Sequence, residues 1–160
     1  MPLTHVSLRR GKPAAYRKAI LDGIYRAMRA VFDVPEEDRF MTITEHDEAD
    51  FSFSKTYLGI ARSDDLVMIQ LTVSNTRTVE QKKALYRRIV ENLAADPGLR
   101  PEDVLINLVE VLPANWSFGH GLAQYVPDKD CNAPFVALAS RSKVSETSTS
   151  PRPPASPGAG

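Results

Sequence analysis

The fold is decided by the stretch Leu66-Val67-Met68-Ile69-Gln70-Leu71-Thr72-Val73 and by the segment Thr78-Val79-Glu80-Gln81 that follows it. The stretch is rich in aliphatic and β-branched residues, so it predicts a strand. Thr78 and Gln81 have the spacing of a capping box, which predicts that a helix begins there. This helix is predicted to end before Pro97-Gly98, and its apolar residues recur along one side: Leu85, Ile89 and Leu93.

The strand-helix-strand pattern occurs twice along the chain. Residues 103–111 predict the strand that follows the helix just described, and the first copy of the pattern lies earlier. There, residues 3–8 and 39–46 alternate between apolar and polar side chains, as half-buried strands do. A helix is predicted between them from about residue 13 to residue 32, before Val34-Pro35. Its apolar stripe consists of Tyr16, Ile20, Ile24, Ala27, Met28 and Val31.

Two such units predict an α+β subunit with the order β-α-β-β-α-β. Its four-stranded mixed sheet would carry both helices on one face. In the second strand, Phe40, Thr42 and Thr44 fall on one side, and Met41 and Ile43 fall on the other. A single layer of helices leaves one face of the sheet uncovered, so the apolar residues of that face predict that the chain forms oligomers.

The composition limits the kinds of partner and site that the chain can have. Its 160 residues include 20 basic and 20 acidic side chains, so it lacks the excess positive charge that nucleic-acid binding usually requires. One cysteine excludes an internal disulfide, and three histidines far apart in sequence argue against a zinc site. We expect a cytoplasmic protein, because there is no recognisable signal peptide and no apolar stretch of the roughly 20 residues that span a bilayer.

The sequence predicts a domain over residues 1–139 and a tail over residues 140–160. The tail is rich in serine and proline and contains one large aliphatic residue, Val144, so it is predicted to be disordered. A proline-rich ligand for another domain is the alternative. Motifs of P-loop, dinucleotide-binding, kinase and serine hydrolase proteins are absent from the sequence. The segment Asp128-x-Asp130-x-Asn132 lacks the glycine and the glutamate of a calcium loop.

Pro2 is the first candidate catalytic residue, because removal of Met1 would leave a secondary amine at the start of a strand. When neutral, such an amine is a base or nucleophile, and when protonated it is an acid that can polarise a carbonyl group. If it condenses with a carbonyl group, the product is a cationic iminium that can accept electrons. The alternative is that Pro2 only begins an edge strand, where the missing N–H is not needed.

Three further segments lie where the doubled pattern can bring them close to Pro2: Asp38-Arg39, Asn75-Thr76-Arg77 and the run from Trp116 to Gly121. With Pro2-Leu3, Val34-Pro35, Glu80-Gln81-Lys82 and Pro101-x-Asp103-Val104, this ordered set resembles the tautomerase superfamily, and most closely its malonate semialdehyde decarboxylase branch. The resemblance covers about residues 2–126.

The resemblance implies a homotrimer of β-α-β-β-α-β subunits that uses neither a metal nor an organic cofactor and takes a small carboxylate substrate. The catalytic residues that it implies are Pro2, Asp38 and Arg77. It also implies that the substrate-binding residues are Asn75, Trp116, Phe118 and Tyr125. The implied reaction is decarboxylation of a 3-oxo acid such as malonate semialdehyde, with side activity as a hydratase on activated unsaturated acids.

The chain departs from the family pattern at one point, since Asn75-Thr76-Arg77 stands where the family usually has Arg-Pro-Arg. One arginine with an asparagine holds a carboxylate through fewer charge-assisted hydrogen bonds than two arginines do. Two other functions therefore stay open: keto-enol tautomerisation of a 2-oxo acid, and a non-catalytic trimer that binds a partner. Each candidate residue also has a structural alternative, as a turn residue, a solvated cation or part of the core.

Overall fold

Two helices cover one face of a four-stranded sheet in the computed structural model, which describes residues 2–126. The strands are β1 (Pro2–Arg9), β2 (Phe40–His46), β3 (Val67–Ser74) and β4 (Val104–Val111), and the helices are α1 (Ala14–Phe32) and α2 (Val79–Ala95). This is the predicted order β-α-β-β-α-β. The strand order across the sheet is β2-β1-β3-β4.

The two halves of the sheet are related as the repeated pattern predicted. Strand β1 pairs in parallel with β2, and β3 pairs in parallel with β4, because each helix carries the chain back over the sheet. The central pair, β1 and β3, is antiparallel. The sheet is therefore mixed, with one strand-helix-strand unit on each side of its centre.

Local sequence signals set where the elements begin. The capping box is present at the start of α2: the Thr78 hydroxyl accepts from the Gln81 backbone N–H, and the Gln81 side chain accepts from the Thr78 backbone N–H. Strand β4 begins one residue later than predicted, because Pro101–Asp103 forms a short 3-10 turn. The buried Asp103 carboxylate accepts from the backbone N–H and the hydroxyl of Ser63, which ties the loop before β3 to the start of β4.

The core lies between the helices and the inner face of the sheet. The two helices approach closely at Gly23, where a Cβ atom would come within 2.8 Å of a Leu93 methyl carbon. The Asn92 side chain also donates to the Gly23 carbonyl at 2.9 Å. Buried side chains from both helices and both central strands fill the space beneath: Val6, Leu8, Ile20, Ile24, Met28, Ile69, Leu71, Leu85, Ile89 and Leu93.

The face of the sheet opposite the helices is uncovered in the single chain, as predicted. Leu3, Phe40 and Leu105 project from it and are 38% to 51% exposed. Large apolar side chains on an open sheet face favour association with another protein surface.

Several predictions fall on residues outside the described range. These are the domain boundary at residue 139, the tail over residues 140–160, and the weak calcium-like segment at residues 128–132. Among residues 2–126, no helix is long and apolar enough to cross a membrane. The same residues contain no group of three or more histidine, cysteine, aspartate or glutamate side chains placed to hold a metal ion.

Candidate active site

The strand register brings four chain segments together at one end of the sheet. Pro2, the first residue of β1, pairs with Val73 near the end of β3, and Leu3 pairs with Phe40 at the start of β2. Because β4 runs parallel to β3, the loop after Val111 lies at the same end. The chain start, the turn before β2 and the loops after β3 and β4 therefore meet, and the predicted site residues lie in these segments.

A cavity of about 330 Å³ lies at this end of the sheet. Three of the seven predicted site residues line it: Pro2, Arg77 and Tyr125. The other lining residues are Phe32, Val34, Val73, Ser74, Thr76 and Pro113. A concave surface that is mostly apolar, with a few polar groups pointing to one place, is typical of a site for a small molecule.

Arg77 is the charged residue among those that line the cavity. Its guanidinium carbon lies over the Phe32 ring, 4.8 Å from the ring centre. A cation just before α2 is disfavoured by the helix dipole, and the contact with the aromatic face offsets that cost. Because the ring occupies the face of the guanidinium group, the N–H groups at its edge remain suited to a carboxylate.

Asp38 lies just before β2 and is buried, with 9% of its surface exposed. A turn places it there, in which the Asp38 backbone N–H donates to the Pro35 carbonyl at 3.1 Å. Burial raises the pKa of the Asp38 carboxyl, while the nearby N-terminal ammonium group lowers it by a smaller amount. In the unprocessed chain that ammonium group belongs to Met1, and removal of Met1 would make the Pro2 nitrogen the N-terminal amine.

We expect the Asp38→Asn substitution to stabilise the fold at neutral pH. A carboxyl group whose pKa is raised by folding binds its proton more tightly in the folded state, so stability declines as the pH rises through the two pKa values. Asparagine does not ionise, so the variant does not lose stability in this way. Thermal melts should give the variant a melting temperature close to the parent's at about pH 4, near the ordinary pKa of aspartate. At about pH 7 the melting temperature of the variant should be higher than the parent's. A variant that melts below the parent at pH 7 would show that attraction to the amine outweighs burial.

Three aromatic rings form a continuous wall in the loop after β4. The Trp116 and Phe118 rings are stacked with their centres 5.6 Å apart, and the Phe118 and Tyr125 rings meet edge to face at 4.9 Å. Tyr125 brings this wall to the cavity. Burial raises the pKa of Tyr125, and the negative charge of Asp38 raises it further, so the wall also lies close to that carboxylate.

The remaining predicted residues stand back from the cavity. Phe118 does not line the cavity but packs against Tyr125, with Trp116 stacked on Phe118. Asp38 does not line it either, although its negative charge raises the pKa of Tyr125. Asn75 is exposed and is not a lining residue, although both of its neighbours line the cavity. Its backbone N–H donates to the Val111 carbonyl at 3.0 Å, which fixes the loop after β3 against β4.

Sequence reasoning did not identify the apolar part of the lining. Phe32, Val34 and Val73 are each at most 5% exposed and belong to the core. Their apolar character at buried positions gives no sign that one side of each borders a cavity. The stripe of α1 predicted Val31 as a buried residue, whereas the neighbouring Phe32 is the one that meets Arg77.

The sequence of this chain is similar to those of known proteins. A family model described as a tautomerase enzyme matches residues 38–119. Two proteins of Bacillus subtilis (strain 168) are similar over 99% of their own length: the probable tautomerase YusQ, 36% identical over 79% of this chain, and the probable tautomerase YrdN, 35% identical over 81%.

The fold of this chain is also similar to those of solved structures. A crystal structure of malonate semialdehyde decarboxylase superposes with a TM-score of 0.72 and 36% identity, covering 77% of this chain and 95% of that one. A fused 4-OT symmetric trimer superposes with a TM-score of 0.63 and 21% identity, covering 75% and 94% respectively. The second likeness is one of fold alone.

Proposed function

Because the chain belongs to the tautomerase superfamily, we propose that it is a lyase that removes carbon dioxide from a 3-oxo acid without a cofactor. The proposed substrate is malonate semialdehyde, and the products are acetaldehyde and carbon dioxide. The observation that carries this proposal is that Pro2 and Arg77 line one cavity. It is supported by 36% identity to a structure of a malonate semialdehyde decarboxylase.

The role proposed for Arg77 is to hold the substrate carboxylate. The bond to carbon dioxide breaks most easily when it stands perpendicular to the plane of the carbonyl group, because the electron pair left behind then overlaps the π system. A guanidinium group that is fixed on the Phe32 ring can hold the carboxylate in one orientation through charge-assisted hydrogen bonds.

The role proposed for Pro2, once Met1 is removed, is to make the neighbouring carbonyl group accept that electron pair. In one route, the prolinium N–H donates to the aldehyde oxygen as an enolate forms. In the other, the neutral amine condenses with the aldehyde and releases water, and the resulting iminium accepts the pair as an enamine. In both routes the α-carbon takes up one proton, and in the second water then releases acetaldehyde and the free amine.

Asp38 and the aromatic wall complete the proposed site. A nearby carboxylate favours the protonated form of the Pro2 amine, and it can also activate a water molecule. Trp116, Phe118 and Tyr125 provide apolar surroundings in which a carboxylate is less well solvated, which favours the loss of its charge as carbon dioxide leaves. Activated unsaturated acids that bind in the same way would be hydrated by such a site.

The proposed assembly is a homotrimer in which the open face of the sheet is covered. Leu3, Phe40 and Leu105 are the apolar residues that such an assembly would bury. The fused 4-OT protein, which has the same fold, is a symmetric trimer.

Keto-enol tautomerisation of a 2-oxo acid is the second candidate function. It is favoured by the two Bacillus subtilis relatives, which are described as probable tautomerases and match this chain over 99% of their length. Here a neutral Pro2 would carry a proton between oxygen and carbon while Arg77 binds the carboxylate. The pH dependence separates the two functions, because a general base loses activity in acid whereas a prolinium acid keeps it.

Proton NMR of malonate semialdehyde incubated with the Met1-processed protein tests the proposal directly. We expect the substrate signals to be replaced by those of acetaldehyde well above the rate without protein. A parallel assay follows the ketonisation of the enol form of a 2-oxo acid by its ultraviolet absorbance. Activity in the second assay alone would establish the tautomerase, and activity in neither would favour a non-catalytic trimer.

A further inference from the structure

The Gln124 side chain forms two hydrogen bonds with backbone groups of its own loop, the one after β4. Its side-chain oxygen accepts from the Phe118 backbone N–H at 2.9 Å, and its side-chain nitrogen donates to the Gly119 carbonyl at 2.8 Å. Gln124 is also the one residue between positions 117 and 126 that is partly buried rather than exposed. The side chain that closes the loop is therefore held inside it.

Two backbone hydrogen bonds also lie within the loop, from the Leu122 N–H to the Gly119 carbonyl at 3.3 Å and from the Val126 N–H to the Ala123 carbonyl at 2.9 Å, but neither reaches Phe118. No helix or strand is present between residues 116 and 126. Gly119, His120 and Gly121 have φ values of 144°, 56° and 70°, so three consecutive residues are in left-handed backbone conformations. Residues other than glycine rarely adopt such backbone conformations, and His120 does so at a cost in free energy. The two bonds of Gln124 bridge this turn from one side to the other.

The two hydrogen bonds join the parts of the loop that carry the aromatic wall. One part is the backbone of Phe118, and the other is the residue immediately before Tyr125. The Phe118 and Tyr125 rings meet edge to face at 4.9 Å, and Trp116 is stacked on Phe118. Tyr125 lines the cavity that also contains Pro2 and Arg77.

We infer that Gln124 is a positioning residue, which sets the aromatic wall of the cavity through its two hydrogen bonds without touching the substrate. For catalysis this inference rests on the proposed function. The position of the wall can be tested independently of that function, because Trp116 is the single tryptophan of the chain. The fluorescence of that ring reports the packing of the wall whether or not the protein decarboxylates anything.

Two substitutions at Gln124 and one control elsewhere test the inference. Gln124→Ala removes both hydrogen bonds, and Gln124→Glu at about pH 8 keeps the acceptor but loses the donor to Gly119, since an ionised carboxylate only accepts. The control is Asn92→Ala, because the Asn92 side chain also donates to a glycine carbonyl, that of Gly23 at 2.9 Å, but lies near the end of α2, and this helix begins at the cavity end of the sheet and runs away from it. Each protein is characterised by its tryptophan emission, melting temperature, kcat and KM.

We expect Gln124→Ala to shift the Trp116 emission and to lower kcat by about tenfold or more, because small displacements of a positioned group are costly to the rate. KM should change much less, since Arg77 is untouched. Gln124→Glu should fall between Gln124→Ala and the parent. Asn92→Ala should lower the melting temperature, because it loses a hydrogen bond between the two helices, and should leave the emission and kcat unchanged.

The inference is overturned if Gln124→Ala keeps the parent's emission and kcat, or if Asn92→Ala changes both as much as Gln124→Ala does. Should the parent protein lack decarboxylase activity, the proposed function fails, and the emission of the two Gln124 variants still decides whether this side chain sets the wall.

Discussion

Protein that retains Met1 is expected to show no decarboxylation above the uncatalysed rate, although its fold is unchanged. With Met1 in place the Pro2 nitrogen belongs to an amide. Its lone pair is shared with the carbonyl group and it carries no proton, so it can neither donate a hydrogen bond nor form an iminium. Loss of general acid catalysis costs about 10²-fold to 10⁴-fold in rate, and the covalent route is closed because an amide nitrogen cannot form the iminium.

The experiment compares two preparations of the same chain, one processed and one with Met1 retained, with intact mass identifying each. Melting temperatures and oligomeric state should agree between them, because the extra residue precedes β1. Pro2→Ala provides the companion variant, since alanine leaves a free primary amine that can still condense with an aldehyde. Equal activity of the Met1-retained and processed proteins would remove Pro2 from the mechanism.

The fold could be predicted from the sequence because its signals are local. Alternation along β2, the apolar stripes of the helices and the capping box at Thr78 each involve residues a few positions apart. The doubled pattern then restricts the topology, since each parallel pair of strands needs a helix to cross over. Even the uncovered face of the sheet followed from counting the layers.

The interior of the candidate site could be predicted only in part, because its contacts join distant residues. Nothing in the sequence near Phe32 indicates that its ring supports the guanidinium group of Arg77. Nor does Gln124 belong to any periodic pattern that would reveal its bonds to Phe118 and Gly119. The family resemblance predicted the polar residues and the aromatic wall. The apolar lining could not be predicted, because it depends on contacts between residues that are far apart in the sequence.

Asn75 lies next to the lining of the cavity and is not part of it. The sequence placed it with the substrate-binding residues because the family usually has an arginine there. In the structure it is exposed, and its backbone N–H is held by the Val111 carbonyl. Thr76 and Ser74, which flank it, line the cavity instead. Arg77 is therefore the lining residue that supplies a positive charge for a carboxylate.

Replacing Arg77 with alanine is expected to lower kcat/KM for the carboxylate substrate by about 100-fold. A hydrogen bond to a charged group contributes about 1.5–3 kcal/mol, and each 1.4 kcal/mol corresponds to a factor of ten. Arg77→Lys keeps the charge but loses the planar pair of donors, so we expect a smaller loss that appears mainly in KM. Arg87→Ala, at an exposed position of α2, is the matched control and should behave as the parent.

The exposed position of Asn75 makes the converse experiment possible. Asn75→Arg restores the second cation of the family pattern, and its backbone hydrogen bond to Val111 does not depend on the side chain. If Arg77 alone holds the carboxylate, the added arginine should lower KM in the parent and should partly rescue Arg77→Ala, because a second guanidinium group can supply the missing charge-assisted bonds. If Arg77→Ala retains full activity, the carboxylate binds elsewhere. If it is inactive and Asn75→Arg gives no rescue, the orientation imposed through Phe32 matters more than the charge.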